Sequence, residues 1–157
     1  MNEKINVYIE IEQFSNIKYE YDKNTNCLVI DRILDKPYKY PYSYGFIPNT
    51  LACDGDELDI LIITDSKISN NNYYDVYIIG CLVMEDEKGL DEKVLCVLEE
   101  DYLKGIIDLD NLSDEIKNSI NSFFSNYKKD NNNGKWSSVI DFINAKESVE
   151  LFKKYKI

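Results

Sequence analysis

Asp54-Gly55-Asp56-Glu57-Leu58-Asp59-Ile60-Leu61-Ile62-Ile63 joins an acidic turn directly to a nearly continuous apolar run. A short apolar run without polar alternation reads as a strand buried on both faces. Asp54, Asp56 and Asp59 fall within six residues. Carboxylates this close repel one another unless cations sit between them. Hard divalent cations prefer carboxylate and water oxygens. Gly55 lets the backbone turn so that the side chains converge. An EF-hand does not fit, because Asp59 stands where that loop needs Gly, Asp65 where it needs Glu, and no helix precedes it. An aspartyl nucleophile for phosphoryl transfer and a plain solvated turn stay open at this point.

Outward from this run, the chain reads as strands first and helices later. Val7-Tyr8-Ile9-Glu10-Ile11 and Ile17-Lys18-Tyr19-Glu20-Tyr21 are short and β-rich, and strand alternation puts Lys18 and Glu20 on one face. The turn cluster at residues 22–26 leads into Leu28-Val29-Ile30-Asp31-Arg32. Residues 36–49 contain Pro37, Pro41, Gly45 and Pro48, which predicts a packed, tyrosine-rich loop rather than a long element. Residues 69–72 form a polar tip. Residues 76–84 form a long strand, in which Gly80 marks a bulge or a close approach. An acidic loop over residues 85–92 follows, and Val94-Leu95-Cys96-Val97-Leu98 is the last strong strand.

Ile116, Ile120, Phe123, Phe124 and Tyr127 then make one helical stripe, with Ser113 as N-cap, and the helix ends at Asn131-Asn132-Asn133-Gly134. A second helix starts at Asn144, with Glu147 placed as in a capping box and lysines at its end. This order predicts a mainly β (α+β) fold, a small β-barrel with two C-terminal helices packed on its outside.

The 157 residues amount to one domain, 1–157, with 44% apolar and 30% charged residues. Eighteen Lys and Arg against 29 Asp and Glu give a net charge of −11, a field that repels nucleic acid and anionic membrane. Histidine is absent, which excludes Ser-His-Asp and Cys-His catalysis and His-ligated zinc. Cys27, Cys53, Cys81 and Cys96 form no C-x-x-C pair and fit no zinc or iron–sulfur spacing, and Cys27, Cys81 and Cys96 read as buried free thiols. The N-terminal residues carry no signal-peptide pattern and no segment has the length of an apolar membrane span, so a reduced, cytoplasmic protein is expected.

Asp86, Glu87 and Asp91 form a second acidic group, followed by Lys93. Arg32 is the only arginine, against seventeen lysines, and its planar fork suits bidentate contact with phosphate or carboxylate. Tyr38, Tyr40, Tyr42 and Tyr44 alternate along the proline-rich segment and share a face, placed for packing or for hydrogen bonds to phosphate oxygens.

Taken together and in order, these segments resemble the family I, Mg²⁺-dependent inorganic pyrophosphatases. The residues that carry the resemblance are Asp54-Gly55-Asp56-Glu57-Leu58-Asp59-Ile60, Ile9-Glu10-Ile11, Ile17-Lys18-Tyr19-Glu20, Val29-Ile30-Asp31-Arg32, Tyr40-Pro41-Tyr42-Ser43-Tyr44-Gly45-Phe46-Ile47, Tyr127-Lys128 and Gly134-Lys135-Trp136. The resemblance spans about residues 7 to 136. It implies a five-stranded OB-like barrel with additional short strands, and hydrolysis of inorganic pyrophosphate to two phosphates without a covalent intermediate.

It also implies residue roles. Asp54, Asp59 and Asp91 would ligate Mg²⁺, several ions per site with Mn²⁺ as a substitute, and Asp86 would join when pyrophosphate is bound. Asp56 would deprotonate the attacking water, and Glu10, Glu20 and Glu87 would hold metal-bound waters. Lys18, Arg32, Tyr127 and Lys128 would grip phosphoryl groups, Lys93 and Tyr44 would tune the carboxylates, and Tyr40 would line the site. These carboxylates outnumber the cations around them, so pyrophosphate binding requires divalent ions.

The chain starts about ten residues later than many bacterial members. Residues 69–74 lack their Pro and Gly, and Ser122 and Asn126 stand where many use a histidine-bearing oligomer contact. A homo-oligomer is expected, a hexamer by resemblance or a smaller assembly. Two other classes compete: a catalytically silent relative acting as a binding protein, and an OB-like barrel that binds single-stranded nucleic acid through its tyrosines, which the net charge disfavours.

Overall fold

The structure, a computed structural model, describes residues 2–35, 38–128 and 136–157. The apolar runs become β1 (Ile5–Ile11), β2 (Ile17–Asp22), β3 (Cys27–Ile33), β4 (Ser43–Ile47), β5 (Leu58–Ile62), β6 (Asn72–Asp86) and β7 (Gly89–Leu98). Then come α1 (Glu99–Leu103), a 3₁₀ turn (Leu109–Asn111), α2 (Asp114–Asn126), β8 (Ser137–Asn144) and α3 (Ala145–Tyr155). Strands β1-β4-β5-β7-β6 hydrogen-bond in that order, and β6 returns to β1, so five strands close into a ring. The OB-like barrel expected from the sequence is what forms. β2 and β3 make a separate hairpin, and β8 pairs with the second half of β6.

Strand alternation divides the core in two. Val7, Ile9, Ile47, Leu58, Ile60, Ile62, Val76, Ile78, Val94 and Cys96, drawn from all five ring strands, pack together inside the ring, joined by Tyr155 of α3. Leu61, Ile63, Ile79, Leu82, Met84, Leu95 and Val97 face the other way and meet Ile120, Phe123 and Phe124 of α2. β6 keeps both faces apolar by a register shift between Ile78 and Gly80. After the shift Cys81 joins the inner face and Leu82 and Met84 the outer one. Gly80 serves both expected purposes, since a Cβ there would also stand 3.2 Å from the Ile143 carbonyl oxygen.

Both expected helices form with their expected caps. Ser113 Oγ accepts from the Ile116 amide at 3.2 Å, and Asn144 Oδ1 from the Glu147 amide at 2.9 Å. The first of these helices ends earlier than expected, at Asn126 with Tyr127 as its C-cap, and residues 131–134 lie outside the described residues. Other readings are corrected as well. β8 lies between the helices; its consecutive Ile140 and Asp141 are both exposed, and Phe142 and Ile143 after them are both partly buried, which breaks the alternation that marks a strand. The acidic loop at residues 85–92 is instead a tight hairpin, because pairing continues through Glu85–Leu90 and Asp86–Gly89. Asp91 is therefore a strand residue. Cys27 is exposed rather than buried, because it opens β3 in the hairpin away from the core, whereas Cys81 and Cys96 are buried. Within residues 36–49, β4 forms despite the prolines flanking it, since neither Pro41 nor Pro48 falls inside it.

Gly45 is where β4 approaches β1 most closely: a Cβ there would stand 1.8 Å from the Tyr8 carbonyl oxygen. Gly45→Ala forces backbone apart rather than a side chain aside. It is expected to destabilise the protein by about 3 kcal/mol, toward the upper end for overpacked sites, seen as a lowered urea midpoint.

Candidate active site

β5 and β7 run parallel, and their register pairs Asp59 with Lys93. On β7, Asp91 and Lys93 share a face with Leu95. The Lys93 ammonium therefore meets both acids, lying 2.7 Å from Asp59 Oδ2 and 3.0 Å from Asp91 Oδ2. It also donates to the Tyr44 hydroxyl at 2.7 Å. With its side chain only 4% exposed, Lys93 has little water to solvate it. Burial opposes its charge, but Asp59, Tyr44 and Asp91 outweigh burial and hold its pKa well above the usual lysine value. Burial and the Asp59 charge push the Tyr44 phenol far up, so it stays neutral.

The acidic loop enters from the other side. Gly55 adopts φ +88°, which its lack of a Cβ permits. Asp54 Oδ1 accepts from the Asp56 amide at 3.0 Å, and the Ala52 amide donates to the Asp56 carbonyl at 2.8 Å. Burial, then the charges of Asp91 and Asp56, raise the Asp54 pKa despite its hydrogen bond.

Glu10 reaches the same space from the outer face of β1, which it shares with Tyr8, beside a β-bulge. The β1–β4 register jumps between Ile9 and Ile11, which leaves Glu10 as the extra residue. Its Oε2 accepts from the Tyr21 amide at 2.8 Å and ties the hairpin to the ring. Burial, with the Asp59 and Glu20 charges, raises its pKa to about 7. Asp86 pairs with Lys128 at 2.9 Å. Burial works to raise its pKa, but the hydrogen bonds from Lys128 and the Lys88 amide prevail and lower it.

These groups surround a cavity of about 180 Å³. Glu10, Glu20, Asp54, Asp56, Asp59, Asp86 and Asp91 stand on it with Lys18, Lys93, Lys128, Tyr40, Tyr44 and Tyr127. The aromatic wall is continuous, since Tyr40 lies 4.7 Å from Phe123, which stacks on Tyr127 at 5.0 Å. Arg32 and Glu87 are not in that wall. Arg32 pairs opposite Lys18 across the hairpin, and its guanidinium lies 5.8 Å from the Tyr127 ring centre. Glu87 is exposed and accepts from the Trp136 amide at 3.2 Å. Lys18 pairs with Asp31 at 3.1 Å.

Sequence reasoning missed Tyr19, Tyr21, Lys23, Phe46, Glu57 and Lys88 as wall residues. Glu57, inside the acidic run, was in view without a role. Lys23 pairs with it at 2.6 Å across the cavity mouth, and only the placement of the hairpin discloses this.

Among the described residues, no three carboxylates converge into a ready-made metal site. The donor set still fits a hard divalent cation, being all oxygen, in excess of its cations, and dispersed enough to leave room for water.

A model of the family described as inorganic pyrophosphatase matches residues 7–156. An inorganic pyrophosphatase of Campylobacter jejuni is 41% identical over 157 residues, covering 96% of this chain and 89% of that protein. One of Nanoarchaeum equitans is also 41% identical, covering 96% of this chain and 94% of its own. The solved inorganic pyrophosphatase of Helicobacter pylori superposes with a TM-score of 0.92 at 36% identity, over 98% of this chain and 91% of that one. With a family match over nearly its whole length, and that fold around an oxygen-rich cavity, the chain belongs to the inorganic pyrophosphatase family.

Proposed function

We propose that this chain hydrolyses inorganic pyrophosphate to two phosphates in the carboxylate-lined cavity, as one domain over residues 1–157. The observation that carries the reading is a single cavity on which Glu10, Glu20, Asp54, Asp56, Asp59, Asp86 and Asp91 gather together with Lys18, Lys93, Lys128 and the tyrosines Tyr40, Tyr44 and Tyr127. An anion as highly charged as pyrophosphate enters only with cations to offset the acids.

Mg²⁺, with Mn²⁺ as substitute, is the fitting cofactor; Asp54, Asp59 and Asp91 would hold it, Asp86 would join with substrate, and Glu10, Glu20 and Glu87 would hold its waters. When bound, it offsets the phosphate charge and makes water easier to deprotonate. Asp56, exposed at the tip of the acidic loop, takes the proton of the attacking water. The water oxygen bonds to one phosphorus in line, the bridging oxygen leaves with the other phosphate, and no enzyme–phosphate bond forms. Lys18, Arg32, Tyr127 and Lys128 orient the phosphoryl groups and stabilise their charge. Lys93 and Tyr44 hold Asp59 and Asp91 at a set separation. Tyr40 is buried against Tyr44 at 5.3 Å and closes the wall to water. The four free cysteines support a reducing, cytoplasmic setting. Among the described residues no helix is long and apolar enough to cross a membrane. The family supports a homo-oligomer, a hexamer or a smaller assembly.

Phosphate release from pyrophosphate, measured with Mg²⁺ and with EDTA, tests this directly. Release is expected with Mg²⁺ and not with EDTA, and Asp56→Asn should cost about 100-fold or more, as for loss of a general base. A folded protein silent across Mg²⁺ concentrations and pH would sink the proposal. Arg32→Lys is expected to lower kcat/KM about tenfold, because a point charge replaces a bidentate fork.

Lys93→Met leaves the buried Asp91 and the partly buried Asp59 without the cation between them. It should destabilise the metal-free protein by about 3 kcal/mol, and added Mg²⁺ should recover part of the loss in thermal unfolding. Equal stability of the variant and wild type without metal would show that Lys93 does not hold the two acids.

A further inference from the structure

The last turn of α3 meets the back of the cavity wall. Asp91 and Lys93 face the cavity, so Glu92 between them points into the ring. There the Tyr155 hydroxyl donates to Glu92 Oε1 at 3.1 Å. Cys53 Sγ lies 3.1 Å from the same hydroxyl. A phenol has one proton, and Glu92 receives it, so the Cys53 thiol donates to the Tyr155 oxygen. Cys53 directly precedes Asp54. A single hydroxyl thus connects the acidic loop, one residue from Asp54, to β7, one residue from Asp91 and from Lys93.

The backbone repeats the connection. The Leu51 amide donates to the Tyr155 carbonyl at 2.9 Å, and the Ile157 amide to the Asn49 carbonyl at 2.9 Å. Thr50 bridges to Lys156. Its hydroxyl closes the loop by accepting from the Leu58 amide at 2.9 Å and donating to the Ile47 carbonyl at 2.7 Å. Asp54 and Asp91 repel, so a loop without this anchor moves outward, and its anchor comes from the end of the chain.

Glu92 depends on Tyr155 in turn. Its residue is 5% exposed, and its Oε2 has no hydrogen-bond partner among the described residues. Removing the phenol hydroxyl leaves that carboxyl without its bond from Tyr155, at a site where water is scarce.

We propose that Tyr155 is a positioning residue: through Cys53 and Glu92 it sets the separation of Asp54 from Asp91 and so preforms the divalent-cation site. This rests on the hydrolase reading above. The chemistry it serves is binding of a hard divalent ion by carboxylates that stand on two different elements. Tyr155 touches neither the cavity nor substrate, and its influence passes through its two neighbours.

The test is Tyr155→Phe, which keeps the ring and removes the hydroxyl. Mg²⁺ affinity is read without substrate, from the rise of the thermal midpoint with Mg²⁺ concentration, beside kcat and KM for pyrophosphate. The half-saturating Mg²⁺ concentration is expected to rise about fivefold, the factor that one hydrogen bond commands, while kcat at saturating Mg²⁺ stays within about twofold. A lower thermal midpoint with an unchanged Mg²⁺ response would overturn the proposal, since that is the signature of plain packing. If Tyr155→Phe does not fold, Cys53→Ala and Glu92→Gln open the two limbs separately. Each should weaken Mg²⁺ binding about two- to threefold, as expected for part of one hydrogen bond, and no weakening in either would also overturn it. Wild-type phosphate release is the control: its absence counts against the hydrolase reading alone, because the Mg²⁺ response requires no turnover.

Discussion

One ammonium held between two carboxylates organises this molecule. Lys93 meets Asp59 because β5 and β7 are parallel neighbours in the register that sets residue 59 beside residue 93, and it meets Asp91 because the two share one face of β7. A buried ion trio gains little net stability, since desolvation offsets much of the attraction. Its consequence is positional. It dictates which faces of β5 and β7 look toward the cavity, and it leaves the opposite faces to Val94, Cys96, Ile60 and Ile62 inside the ring. Without the lysine, the acids would separate and the wall they form would open.

Irregularities in the strands serve the same end. The bulge in β1 brings Ile11 to the outer face beside Glu10, which alternation from Tyr8 already sets toward the cavity and whose carboxylate fastens the β2–β3 hairpin. The shift in β6 exchanges the faces halfway along, so that one long strand lines the ring with Val76 and Ile78 and then with Cys81. A regular strand of that length would have pointed its second half the wrong way. α2 and its C-cap contribute from outside, where Phe123, Phe124 and Tyr127 pack against Tyr40 and Tyr44 and place an aromatic wall beside the charged groups of the cavity. In a low-dielectric wall, the interactions of Lys93 and Lys128 are less screened by water.

Much of the frame was legible in the chain, because its signals are local. The apolar run after Asp59, the stripe from Ile116 to Tyr127 and the caps at Ser113 and Asn144 depend on neighbours a few residues away. β8 was not legible, because it is a half-exposed strand whose stability comes from pairing with β6. Cys27 misled for a related reason. Its apolar neighbours Leu28, Val29 and Ile30 resemble core, yet the hairpin stands off the ring and leaves Val29 and Ile30 largely exposed. The site divided along the same line. The carboxylates and Lys18, Lys93, Lys128, Tyr40, Tyr44 and Tyr127 gather on one cavity, whereas Lys23 joins it only because the hairpin folds over the mouth. Arg32 and Glu87 lie beside it rather than in its wall.

The amino-acid order alone determined the kind of chemistry open to this protein. Without histidine and with its acids clustered before a buried strand, it is restricted to oxygen-ligated cations and lysine, arginine or tyrosine contacts with anions. It also determined the succession of strands and helices, since alternation and helical spacing act over a few residues. Only the tertiary structure decided which acid meets which cation, and that Tyr155 reaches both Glu92 and Cys53. Those pairings join residues far apart in sequence. They follow from strand register and from closure of the ring, and no local pattern carries either.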